Sequence, residues 1–210
     1  MKRLTPADIR DNDDFELLAE VSHSEIKQFI IEQVMNEREV VRIYGVYQVA
    51  MVALVIFILA KAVILFSRGF AEPLMFIGGS VLFSVTVLVV IHEFIHAVAY
   101  WLTGARNIKA GAIWRKFIFY IAADREVIDY PSFKIVALAP FVLVKVSCVI
   151  LTVLFWSNPL AYFFLSLMCI HSLFCAGDMA MLAFYRLHHD KEIYNFDDLK
   201  EGKTFFFYRK

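Results

Sequence analysis

The chain has 210 residues, 60% of them hydrophobic, and its 21 Lys and Arg balance 21 Asp and Glu. Soluble domains are about 45–50% apolar, so an excess gathered in long runs predicts an integral membrane protein. Zero net charge excludes a nucleic-acid binder built on a bulk basic field and a disordered acidic tail protein.

Residues 1–43 read as an N-terminal, acidic amphipathic helical segment, with Thr5 as its cap, Pro6 at the first helical position and Asp8 in the first turn. No apolar core precedes Tyr44, so no cleavable signal peptide is expected, and the first span directs insertion. Crossing roughly 30 Å of hydrocarbon takes about 20 helical residues. Four stretches are that long, near Tyr44–Phe66, Pro73–Leu102, Phe133–Trp156 and Pro159–Leu187. Pro73 and Pro159 stand where helices tolerate proline, and Gly104 is placed to stop the second span. Between spans two and three, Phe117–Ile121 and Val127–Tyr130 flank a polar turn at residues 123–126 and predict a β-hairpin at the membrane surface. The tail offers another strand from Lys203 to Tyr208.

The fold class is therefore all-α, four transmembrane helices with a small cytoplasmic-side β-hairpin, divided as 1–43, a core at 44–187 and a tail at 188–210. Lys and Arg set the orientation. Residues 1–43, the segment 104–134 and the tail from Arg186 hold six each, while the loop between spans one and two has only Arg68 and that between three and four has none. The positive-inside rule places the three basic segments, with both termini, in the cytoplasm. Cys148, Cys169 and Cys175 all lie in apolar runs. An odd, buried set is not a disulfide framework, and the absence of CxxC argues against a cysteine-based metal site.

The chemistry lies in span two, which reads Val90-Ile91-His92-Glu93-Phe94-Ile95-His96-Ala97. This is H-E-x-x-H. Two histidines four apart project from one helical face and can share a metal, and Glu93 is placed to take a proton from a water that the metal activates. Zinc suits two imidazoles with a carboxylate. Three ionisable groups in one stretch of an apolar span are costly and mark a functional site; a polar cluster hydrogen-bonded to neighbouring helices is the plainer reading.

A catalytic zinc needs a third protein ligand. His92 lies 19 residues beyond Pro73 and Asp178 lies 19 beyond Pro159, so equal rise puts them at similar depth. Asp178 is also the sole acidic residue in spans one, three and four, and Gly177 beside it lets helices approach. His171 is the rival ligand. It sits about 10 Å up an unbroken helix from Asp178, which suits a supporting polar residue. Lys145 could stabilise developing negative charge, pair with a carboxylate or snorkel. His188 and His189 suit a helix C-terminus.

With Leu138-Ala139-Pro140 and Ala176-Gly177-Asp178-Met179, the motif resembles the family called Putative zincin peptidase, small bacterial membrane proteins similar in layout to the site-two intramembrane metalloproteases. The resemblance covers roughly residues 75–210. It implies zinc held by His92, His96 and Asp178, Glu93 as general base, hydrolysis of membrane or membrane-proximal proteins, and residence in a bacterial cell membrane. Site-two proteases set their aspartate in Asn-Pro-x-Asp-Gly or Leu-Asp-Gly; here Met179 follows Asp178. The competing functions are a non-catalytic metal-binding scaffold or regulator and a metal-ion transporter. Against transport, polar residues thin out to His171 toward the outer face, whereas alternating access needs a midplane site reached from both sides.

Overall fold

A computed structural model describes residues 4–25, 28–29, 31–32, 38–113 and 118–210. In chain order the elements are helix α1 (Pro6–Arg10), strand β1 (Phe15–Ser22), helices α2 (Arg38–Ser67) and α3 (Glu72–Leu102), strands β2 (Ile108–Ile113), β3 (Ile118–Ala123) and β4 (Ile128–Asp129), helices α4 (Tyr130–Leu154), α5 (Leu160–Phe174) and α6 (Ala176–Leu187), and strands β5 (Glu192–Asp198) and β6 (Lys203–Arg209). The α2, α3 and α4 helices are long and apolar enough to cross a membrane; a fourth span exists if α5 and α6 count as one. The fourth stretch was expected as a single helix. It breaks at Cys175, whose backbone (φ −74°, ψ 0°) leaves the helical range.

The chain forms two compact units, one of residues 1–41, 93–139 and 177–210, the other of residues 42–92 and 140–176. The first carries the strands, and here the sequence expectation needs correcting twice. The N-terminal segment is not helical throughout. After α1, capped by Thr5 and Asp8 in a reciprocal pair, the chain turns into β1, whose Phe15, Leu17 and Val21 supply β-forming residues. It pairs antiparallel with β6, giving a sheet ordered β1-β6-β5-β4. The hairpin is also differently paired. β3 pairs antiparallel with β2, residues 114–117 between them lying outside the described residues, while β4 joins β5. The expected turn at 123–126 exists, with Arg125 at φ 57°, but it passes the chain from one sheet to the other. The physical reason lies on the partner strand. Gly111 in β2 stands opposite Tyr120, and a Cβ there would run into the Tyr120 ring.

This unit's core gathers Phe184 and Tyr185 of α6, Phe133 and Val136 of α4, Tyr100 of α3, Ile193 of β5 and Phe206 of β6. Charge staples its turns. Asp124 accepts from Lys109 Nζ (2.6 Å) and the Leu199 N–H (3.1 Å). Asp198 accepts from Arg125 Nε (2.9 Å) and the N–H groups of Lys200 and Glu201. The Lys109 ammonium holds Asp124 below the usual carboxylate range. Burial alone would raise Asp198; the Glu201 N–H and the Arg125 guanidinium outweigh it and lower that carboxyl too.

The second unit is helical. Its core packs Ile58 and Ala62 of α2, Ile77 of α3, and Tyr162 and Leu165 of α5. Small residues let α3 and α5 approach: Gly79 faces Phe163, and the Ser80 and Ser166 hydroxyls share a hydrogen bond at 2.7 Å. Large apolar residues such as Val49, Phe57, Met75, Val153 and Leu154 stay exposed, which is what a lipid-facing surface requires. Lys145 donates to the Met168 carbonyl and lies near the Tyr47 and Phe141 rings.

Candidate metal centre

The site is built on α3. Along this helix every fourth residue is buried: Ser80, Ser84, Leu88, His92, His96 and Tyr100. Spaced that way, these residues would walk about 200° around a straight helix of 3.6 residues per turn. The segment Ser84–Leu88 is a π turn, and its wider winding takes back part of that drift. Ser84 Oγ returns to the Ser80 carbonyl at 2.6 Å within this stretch. From Val89 to Leu102 the helix is regular, so His92 and His96 share one face, one turn apart, with Glu93 partly buried beside them.

Each imidazole has its Nδ1 engaged. His96 Nδ1 lies 3.0 Å from the Val136 carbonyl of α4. That carbonyl is available for a local reason. In a helix Val136 would accept from the N–H of residue 140, which is Pro140, inside α4 and without an N–H. His96 Nδ1 therefore donates to a carbonyl that proline has released, so that in the neutral ring Nε2 carries the lone pair. His96 Nε2 in turn stands 3.3 Å from Asp178 Oδ1. His92 Nδ1 lies 3.1 Å from His171 Nε2.

The donor set can be tested against zinc. With Zn–N and Zn–O near 2.0–2.1 Å, tetrahedral angles separate two ligand atoms by about 3.4 Å. The His96–Asp178 spacing matches that edge, and imidazoles tied at Nδ1 are the common arrangement of metal-bound histidine. His96 and Asp178 fit the ion.

Of the residues singled out in the sequence, His96 and Asp178 are brought together, and His92 shares a helical face with His96. His171 is buried against His92, and the helix that was expected to run unbroken from it to Asp178 breaks at Cys175. Lys145 spends its charge on a carbonyl and two rings. His188 Nδ1 turns back to the Phe184 carbonyl at 3.0 Å near the end of α6. His23 Nε2 lies 3.7 Å from Asp197 Oδ1. The roles of Val136 and Pro140 had gone unassigned; a proline inside an apolar helix was the available signal, since it must release one carbonyl.

The family model called Putative zincin peptidase matches residues 85–193, just over half of the chain. The chain belongs to that family. The matched segment runs from the π turn to β5 and contains His92, Glu93, His96, Val136, Pro140, His171 and Asp178. No curated protein and no solved structure matches this chain.

Proposed function

We propose that this protein is a zinc-dependent, membrane-embedded peptidase that hydrolyses peptide bonds in membrane or membrane-proximal proteins. His92, His96 and Asp178 hold the ion, and Glu93 is the general base. The observation that carries the reading is the His96–Asp178 pair at 3.3 Å, one helical turn from His92 on a chain of the zincin family.

Zinc, when bound, supplies a Lewis acid that activates water and polarises the scissile carbonyl. Glu93 takes a proton from the attacking water and returns it to the leaving amine. The Val136 carbonyl and His171 hold the two imidazoles in the tautomer that keeps a lone pair for the ion. The β2–β3 ribbon takes a substrate segment as an added strand, which exposes its carbonyl. The motif lies seven to eleven residues before Thr103, nearer the basic side, so water reaches it from the cytoplasm and both termini are cytoplasmic.

The test uses the full chain in detergent with a membrane-tethered peptide reporter. Chelation abolishes cleavage and added zinc restores it. Glu93→Gln keeps zinc by elemental analysis and loses cleavage. A Glu93→Gln protein that cleaves at the wild-type rate would end the assignment of the base.

A further inference from the structure

His171 and Cys175 are both fully buried and lie four residues apart, His171 in the last turn of α5 and Cys175 in the break that follows. The peptidase reading uses His171 only as a hydrogen-bond partner and does not use Cys175. Together with His92 they place one donor atom each within 4.8 Å of one another. The individual spacings are informative. His92 Nδ1 to His171 Nε2 is 3.1 Å, and Cys175 Sγ lies 3.8 Å from His171 Nε2 and 3.7 Å from its Nδ1. A tetrahedral ion with metal–nitrogen distances of 2.0–2.1 Å and a metal–sulfur distance near 2.3 Å sets these edges at about 3.3 and 3.6 Å. Three buried donors thus stand at nearly ligating separations. The lack of a CxxC motif concealed this set, because its sulfur comes from a helix break and its second imidazole from another helix.

We infer that His92 Nδ1, His171 Nε2 and Cys175 Sγ form a second metal position, one that selects thiophilic ions. A thiolate in the donor set favours soft metals, whereas an imidazole–carboxylate set does not. Binding there releases the Cys175 thiol proton to solvent. It also fixes the His92 tautomer: with Nδ1 on the ion, the one proton of the neutral ring sits on Nε2. His92 then has no lone pair for a second ion. Given the peptidase reading, a thiophilic ion at this position withdraws His92 from the zinc set and weakens zinc loading. The second position itself does not depend on that reading, since His96, Asp178 and Glu93 take no part in it.

The test adds Cd2+ to the metal-free full chain in detergent and follows the ultraviolet thiolate-to-metal charge-transfer band. Wild type gains the band at one equivalent. Cys175→Ser loses it, and His171→Gln loses it, while Asp178→Asn and a Cys148→Ser/Cys169→Ser double variant keep it. Cadmium-113 NMR of the wild-type protein gives a readout that needs no variant, with a shift in the range of mixed nitrogen and sulfur ligands. A band that survives Cys175→Ser, a band that follows Cys148 or Cys169 instead, or a cadmium shift typical of nitrogen and oxygen alone overturns the proposal. Loss of peptide cleavage in Glu93→Gln with the band unchanged separates this position from the hydrolytic site.

Discussion

In the strands, Asp124 and Asp198 are each met by a cation and by backbone N–H groups; in the apolar helices, Asp178 meets an imidazole. The same carboxylate serves two ends. Beside a sheet turn it costs little to ionise, and its hydrogen bonds hold the turn closed. Inside an apolar stretch the charge is expensive, and in the proposed reading the imidazole beside it is a fellow ligand. The comparison points to chemistry for the carboxylates of the apolar helices and to stability for those beside the sheet turns.

Variants can break that division. The largest effect is expected at Glu93: replacement by Gln lowers the rate of peptide cleavage by about 10²–10⁴-fold, the usual contribution of a general base, without lowering the unfolding temperature. A Glu93→Gln protein that unfolds early would mean that this carboxylate serves stability after all. Removing a ligand comes next. Asp178→Asn reduces bound zinc below stoichiometric in elemental analysis, and unchanged metal content would take Asp178 out of the set.

Pro140→Ala sharpens the comparison, because it changes no ionisable group. The new N–H competes for the Val136 carbonyl, and zinc affinity by chelator competition falls by about 10–100-fold, the usual cost of losing a partner behind a metal-bound histidine. In histidine-labelled protein, NMR reports the loss of the fixed Nδ1–H form of His96. An unaltered tautomer with weakened zinc would show that Pro140 acts through helix shape alone.

On the strand side, Asp124→Asn costs about 2 kcal/mol of stability, the range of a charge-assisted hydrogen bond, and leaves cleavage per folded molecule intact. The pH dependence has a definite sign. Both carboxyls are held below their ordinary range when folded, so their stabilisation is present above the unfolded value of about 3.9. It is lost as pH falls through the lower folded values. Acid melts of wild type and Asp124→Asn should therefore converge below about pH 4. The smallest effect belongs to Ser80→Ala, which removes the link to Ser166 and costs about 1 kcal/mol.

Much of this was legible in the residues. The apolar runs of α2, α3 and α4 announce themselves by length, Thr5 by its capping pattern, and the His92–His96 pair by spacing alone. Equal distance from two prolines pointed to Asp178 without any contact being known. What escaped was non-local. β1 pairs with a strand at the far end of the chain, and nothing within residues 15–22 encodes that partner. The hairpin was misread because β2, Ile108–Ile113, carries Lys109, Ala110 and Gly111 and lacks the aromatic signature of β3. The break at Cys175 has no Pro or Gly at the position itself, so the apolar run looked continuous, and the π turn at Ser84–Leu88 leaves no mark in hydropathy.

That π turn has a consequence for what the gene can tolerate. Removing one residue from 84–88 would restore ordinary winding and shorten the span by only about 1.5 Å, with the helix on either side keeping nearly its present orientation. Removing a residue from 89–91, where the winding is already regular, would instead swing everything beyond it by about 100°, carrying both imidazoles away from their present neighbours. Single-codon deletions within 84–88 should thus spare metal retention while one at 89–91 abolishes it, two neighbouring stretches of apolar residues that answer the same lesion in opposite ways.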